Sequence, residues 1–220
     1  MGPGPYPGVV VIHHAPGWDE GTKEITRKFA AHGYNAICPN LYHRQGPSDP
    51  IAAATAVRAA GGVPDARCLG DVGGSIAYLR SLLSCNQKIG VIGYCSGGRQ
   101  TYLVACNIPS INAAVDCYGG RVVATAEQLT PHQPVAPIMM TERLACPLLG
   151  LFGADDLSPS PQDVAQIEAE LTRLGKTHEF HTYPGAGHSF FSADRPSYRQ
   201  QAAEDGWNRV FTWFGRYLSS

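Results

Sequence analysis

Cys95 stands in the run Gly93-Tyr94-Cys95-Ser96-Gly97, directly after the apolar stretch Ile89-Gly90-Val91-Ile92. The pattern Gly-x-nucleophile-x-Gly marks a tight turn from strand to helix. Glycines at its flanks let the two elements approach closely while one side chain is thrust out. A thiol in that slot attacks a carbonyl carbon as the thiolate, and it ionises far more readily than a hydroxyl. It needs a base to take its proton.

Two further sites supply such groups. Asp155 and Asp156 follow the apolar run Leu149-Gly150-Leu151-Phe152-Gly153, and His188 lies in Tyr183-Pro184-Gly185-Ala186-Gly187-His188-Ser189-Phe190. An imidazole can accept the thiol proton if a carboxylate on its far nitrogen fixes the tautomer and stabilises the imidazolium. The order nucleophile, acid, histidine is that of the α/β-hydrolase arrangement. Asp156 is the preferred acid because it has the longer reach from the strand, and Asp155 is the close alternative. Each residue alone has an ordinary structural reading. The three together, each at the end of a predicted strand, favour chemistry.

A tetrahedral oxyanion also needs donors. The backbone N–H of Ser96, at a helix N-terminus, is one. The second is expected from the loop His13-His14-Ala15-Pro16-Gly17-Trp18, where Pro16 has no N–H and Ala15 is therefore the candidate. Trp18 in that loop and Tyr94 beside the thiol are further pocket candidates, and His43 and Arg44 read equally as pocket lining or solvated loop. Neighbouring residues on a strand point to opposite faces, so His13 and His14 do not make a metal pair. No metal and no cofactor is expected.

Positioning these residues requires alternating strands and helices. Strand-like stretches fall at 8–14, 35–38, 88–92, 111–118, 147–152 and 178–183. Helical patterns fall at 20–32, 71–83, 96–106, 161–174 and 198–218, with a short helix around 51–60 inside a Gly/Pro/Ala-rich excursion at 43–64. Parallel strands need crossover connections, so the pattern predicts one α/β domain over 1–220: a mostly parallel sheet of about six strands with helices on both faces.

The chain has 220 residues and a formal net charge of −1, which argues against a nucleic-acid partner or a polybasic membrane anchor. No apolar run is long enough to span a bilayer. The N-terminus lacks a basic region followed by an apolar one, so no signal peptide is expected. Seven cysteines, an odd number without a Cys-x-x-Cys pair, suit a reduced cytoplasmic protein.

With these motifs the chain resembles the dienelactone hydrolase family of α/β-hydrolases. The resemblance runs from Gly8-Val9-Val10-Val11-Ile12-His13 through Ala31-His32-Gly33-Tyr34 and Cys38-Pro39-Asn40-Leu41-Tyr42 to the Cys95, Asp156 and His188 motifs. It implies a Cys95–Asp156–His188 triad that opens an enol-lactone or carboxylic ester through a thioester, with a small-molecule substrate. The family carries a glutamate where His14 stands, so thiol activation is expected by direct pairing with His188 or with help from His14. The family also places an arginine for the substrate carboxylate where Ser192 stands, and Arg195 is the candidate substitute. Against the full fold of the family the chain begins at what would be the third strand, so its N-terminal strands are expected to be reduced or absent, either because the sheet is smaller or because the N-terminus has been trimmed. A thiol-based redox sensor and a silent interaction protein on the same fold are the competing functions; neither calls for an acid–histidine pair in triad order.

Overall fold

The computed structural model describes residues 4–46 and 49–219. Two residues of the 43–64 excursion, Pro47 and Ser48, and the first three residues of the N-terminus lie outside the described ones, as does Ser220. Among the described residues twelve strands and α-helices follow one another: β1 (Tyr6–Ile12), α1 (Glu20–Ala31), β2 (Asn35–Ile37), α2 (Pro50–Ala59), α3 (Asp65–Ser81), β3 (Cys85–Tyr94), α4 (Ser96–Asn107), β4 (Ala113–Cys117), β5 (Leu148–Gly153), α5 (Pro161–Arg173), β6 (His178–Tyr183) and α6 (Gln200–Leu218). The six strands form one sheet in the order β2-β1-β3-β4-β5-β6, and every pairing is parallel.

Burial explains the apolar strand sequences. Val9, Val10, Val11 and Ile12 are all fully buried, because helices cover both faces of the sheet. Val9 and Val11 pack with Phe29 of α1 and with Val210 and Phe214 of α6. Val10 and Ile12 join the opposite core, with Val72 and Ile76 of α3, Val104 of α4 and Ile167 of α5.

Two boundaries differ from the sequence expectation by more than two residues. Helix α3 begins at Asp65 rather than 71, and β3 begins at Cys85 rather than 88. The segment from 119 to 147 holds two short 3-10 turns, Ala126–Gln128 and Pro137–Arg143, which periodicity does not reveal.

The strand order reverses between β1 and β3. Ligands of open α/β sheets bind at such a point, beyond the carboxyl ends of the strands. Ile12 is paired with Gly93 and Tyr94 with Cys117, so the loops after β1, β3 and β4 emerge side by side.

Candidate active site

Cys95 sits between β3 and α4 with φ 57° and ψ −119°. A positive φ is strained for a residue with a side chain, and the strain is held by backbone packed against backbone. A Cβ on Gly93 would lie 2.0 Å from the Gly97 carbonyl oxygen, and one on Gly97 would lie 2.3 Å from the Ile12 carbonyl oxygen. Only glycine fits either place. The Cys95 N–H donates to the Cys117 carbonyl at 3.0 Å, which ties the turn to the end of β4.

Asp156 follows β5 and is almost completely buried, whereas Asp155 is exposed. Asp156 Oδ2 accepts from His188 Nδ1 at 2.8 Å, and its Oδ1 accepts the Ser158 N–H at 2.9 Å. Of the two candidate acids, Asp156 is therefore the one the fold brings to the imidazole. The histidine loop is anchored in turn, since the Asp155 N–H donates to the Ala186 carbonyl at 2.9 Å. The ring of Tyr118 stands edge-on to His188, with 5.1 Å between centroids.

The electrostatics join sulfur to nitrogen. Burial alone would raise the Cys95 thiol, but hydrogen bonding and charge from His188, with the backbone N–H groups of Ser96 and Ala15, bring it below its ordinary value. Burial alone would lower His188, but Asp156 and the Cys95 sulfur raise it to about 10. Both shifts favour a thiolate–imidazolium pair. By contrast, burial pushes the thiols of Cys38, Cys68, Cys106 and Cys146 up to about 12. Ser96 and Ala15, named from the sequence as oxyanion donors, both present their N–H groups to the sulfur.

The remaining candidates divide. His14 Nε2 is bonded to Asp19 Oδ2 at 2.6 Å, and the influences on the Cys95 thiol come from His188, Ser96 and Ala15. Asp19 Oδ1 also caps α1 by accepting the Thr22 N–H at 2.9 Å. Burial would raise the Asp19 carboxyl, yet His14 and the Thr22 N–H hold it well below the usual carboxylate range. A depressed carboxyl contributes stability that is present above its unfolded pKa and lost as pH falls towards the folded one. Asp19→Ala is therefore expected to lower unfolding free energy by about 1 kcal/mol at neutral pH, with a deficit that shrinks below pH ~4. Urea melts at pH 7 and pH 3 check this.

His13, by contrast, is structural. Its buried ring accepts the Leu41 N–H at Nε2 (3.2 Å) while Nδ1 lies 2.9 Å from the His14 carbonyl, and burial lowers its pKa to about 4. Trp18 is 41% exposed, stacks under Lys23 and lines a hollow with Tyr42 and Pro50 rather than the cleft over Cys95. Tyr94 is buried among Tyr118, Phe191 and Trp207. Arg195 is close enough to act on Tyr118 and does not line the cleft. His43 bonds the Asn40 carbonyl and Arg44 grips Asp71, both on the surface. Among the described residues no three His, Cys, Asp or Glu side chains are grouped as metal ligands.

The cleft over Cys95 encloses about 570 Å³, walled by Ser96, Arg99, Arg121, Gln133, Leu157 and His188. Arg99, Arg121 and Gln133 escape a reading of the sequence. The one signal for Arg121 is Gly119-Gly120 directly after a strand, at the same end of the sheet as the other three loops.

The model of the Dienelactone hydrolase family matches residues 1–218. The chain belongs to the dienelactone hydrolase family. Among its relatives, a "Putative carboxymethylenebutenolidase" of Methylorubrum extorquens is 34% identical over 217 residues, covering 97% of this chain and 73% of the relative. One of the same name from Escherichia coli is 34% identical and covers 97% and 78%. A crystal structure described as a putative dienelactone hydrolase from Klebsiella pneumoniae superposes with a TM-score of 0.87 at 34% identity, over 99% of this chain and 90% of that one. The chain is accordingly a dienelactone hydrolase-like hydrolase on an α/β-hydrolase fold. No helix among the described residues is long and apolar enough to cross a membrane.

Proposed function

We propose that Cys95 is the nucleophile of this hydrolase, with His188 as its base and Asp156 as the orienting acid, acting on a carboxylic ester or enol-lactone. The observation that carries this reading is the hydrogen bond from half-buried His188 to buried Asp156, beside a thiol whose ionisation is favoured. The Cys95 thiolate attacks the carbonyl carbon, and the oxyanion takes the N–H groups of Ser96 and Ala15. The C–O bond then breaks, the departing oxygen takes the proton from the His188 imidazolium, and a thioester remains on Cys95. Water attacks the thioester, giving a proton to His188, and the carboxylic acid leaves as the thiol is restored. An enolate leaves readily, so an enol-lactone suits a thiol. With His14 held by Asp19, activation runs through direct Cys95–His188 pairing.

Acid-quenched turnover of p-nitrophenyl acetate, digested and read by mass spectrometry, is expected to show the acetyl group on Cys95, labile to hydroxylamine. Acetyl found elsewhere, or full turnover after Cys95 has been alkylated, would overturn the assignment. Iodoacetamide labelling of Cys95 should rise with pH below the ordinary thiol value of about 8.5. In His188→Gln burial is opposed only by the backbone N–H groups of Ser96 and Ala15, and the rise should move to higher pH.

A further inference from the structure

We propose that the hollow between α1 and the rings of Tyr94, Tyr118, Phe191 and Trp207 is a second binding site, separate from the cleft over Cys95, for a phenol: one flat aromatic ring bearing a hydroxyl oxygen. The proposal does not depend on which residue is the nucleophile.

The hollow encloses about 730 Å³, against about 570 Å³ for the cleft, and the two have no wall residue in common. One wall is α1. The other is Trp207 of α6 with the loop from Phe191 to Asp194. The rings form one continuous set. Between centroids, Tyr94 is 6.2 Å from Tyr118, 5.7 Å from Phe191 and 6.5 Å from Trp207, and Phe191 is 5.7 Å from Trp207. Apolar and aromatic walls carrying a few polar groups are the usual make-up of a small-molecule site. Rings at these separations favour a further ring among them.

The polar groups of the hollow say what that ring should carry. The Tyr118 hydroxyl has Ser192 beside it. The Tyr94 hydroxyl is also buried, yet it has no hydrogen-bond partner among the described residues. Such orphans are rare because leaving a buried hydroxyl unpaired is costly, and a ligand oxygen would relieve the cost by accepting from it. Lys28 supplies a second donor, with its ammonium 4.2 Å from the centroid of Trp207. Glu20 and Glu24 line the same hollow but are paired with Lys23 and Arg27. No carboxylate among the described residues forms an ion pair with Lys28, and desolvation lowers its pKa. Two donors lacking an acceptor, set among aromatic rings, call for an aromatic ligand with an oxygen. An electron-rich ring, as in a phenol, also attracts an ammonium to its face.

The test is a fluorine NMR titration with 4-fluorophenol and 4-fluorotoluene, which differ only in hydroxyl against methyl. The phenol is expected to bind with Kd on the order of 1 mM, and more tightly than the toluene. Tyr94→Phe should weaken the phenol roughly 3–10-fold, the loss of one hydrogen bond, and leave the toluene unchanged. Gly21 lies in the α1 wall, and a Cβ there would meet nothing nearer than Asp19 Oδ1 at 3.6 Å. Gly21→Phe should therefore fill the hollow without disturbing the core and weaken both ligands together. Equal affinity for phenol and toluene would overturn the proposal. So would phenol binding that persists unchanged in Gly21→Phe, which would place the ligand elsewhere. Thermal melts without ligand add a readout that a structural hydroxyl would move. Tyr94→Phe should melt no lower than the parent, and a fall of more than about 2 °C would assign the hydroxyl to the fold and overturn its role in binding.

Discussion

Asp156→Asn is expected to lower kcat for ester hydrolysis by about 10⁴-fold, with the fold intact. The structure says why an almost isosteric change should be so costly. The Ser158 N–H requires an acceptor and is 2.9 Å from Oδ1. An asparagine would keep its carbonyl oxygen there and turn its NH₂ towards His188 Nδ1. That nitrogen would then have to accept, so the ring proton would move to the nitrogen facing Cys95, where a base is needed. The variant would also lose the charge that offsets the burial of His188, so the imidazolium would give up its proton at lower pH and the thiol would hold its proton to higher pH. Rate and alkylation should therefore fail together, with the Cys95 labelling profile moved up in pH. Asp155→Asn is the control, because that side chain is exposed and does not touch the imidazole; a loss below tenfold is expected. Equal losses in the two variants would reject Asp156 as the orienting acid.

What the sequence made legible was local. The β-branched run at Val9–Ile12, the glycines around Cys95 and the order of thiol, acid and imidazole each leave a signature within a few residues. Helix α3 starts earlier than its periodicity indicates because Gly70 dilutes the pattern of its first turns, and packing of Cys68 and Val72 overrides that low propensity. Gln133 leaves no such signature, and Arg121 only the glycine pair before it. The segment that carries them is held by partners about seventy positions away: Thr130 donates to the Gly61 carbonyl, His132 lies 2.9 Å from that of Gly62, and Gln133 donates to that of Val63. Trp18 and His14 mislead in the opposite way. Their types and loop suit the cleft over Cys95, but Lys23 of α1 and Asp19 at its N-cap engage them, and they line other hollows of the surface. Chain ends of strands were readable; which side chains line the space between them depends on contacts with no sequence period.

Gly93→Ala and Gly74→Ala should change stability in opposite directions, although each adds one methyl group. At Gly93 the new carbon would lie 2.0 Å from the Gly97 carbonyl oxygen, 2.3 Å from its carbon and 2.6 Å from Thr101 Oγ1. Two of these atoms are backbone, and Gly97 is itself pressed against the Ile12 and His13 carbonyls, so α4 has nowhere to retreat without lifting off β1. The helix carries Tyr102, Val104 and Ala105 into the core beside the sheet, and separating it from β3 would open that core. A loss of roughly 4 kcal/mol or more follows, a fall in Tm on the order of 10 °C for a chain of this size. Gly74 lies on the exposed side of α3 with no atom within 4 Å of its added carbon and with no positive φ. There the alanine only narrows the unfolded ensemble, and a gain of about 0.5–1 kcal/mol is expected. Thermal melts of the two variants decide it. A Gly93→Ala protein melting within 2 °C of the parent would mean that the elbow is not wedged between two backbones, and that the strain at Cys95 is not imposed by its neighbours.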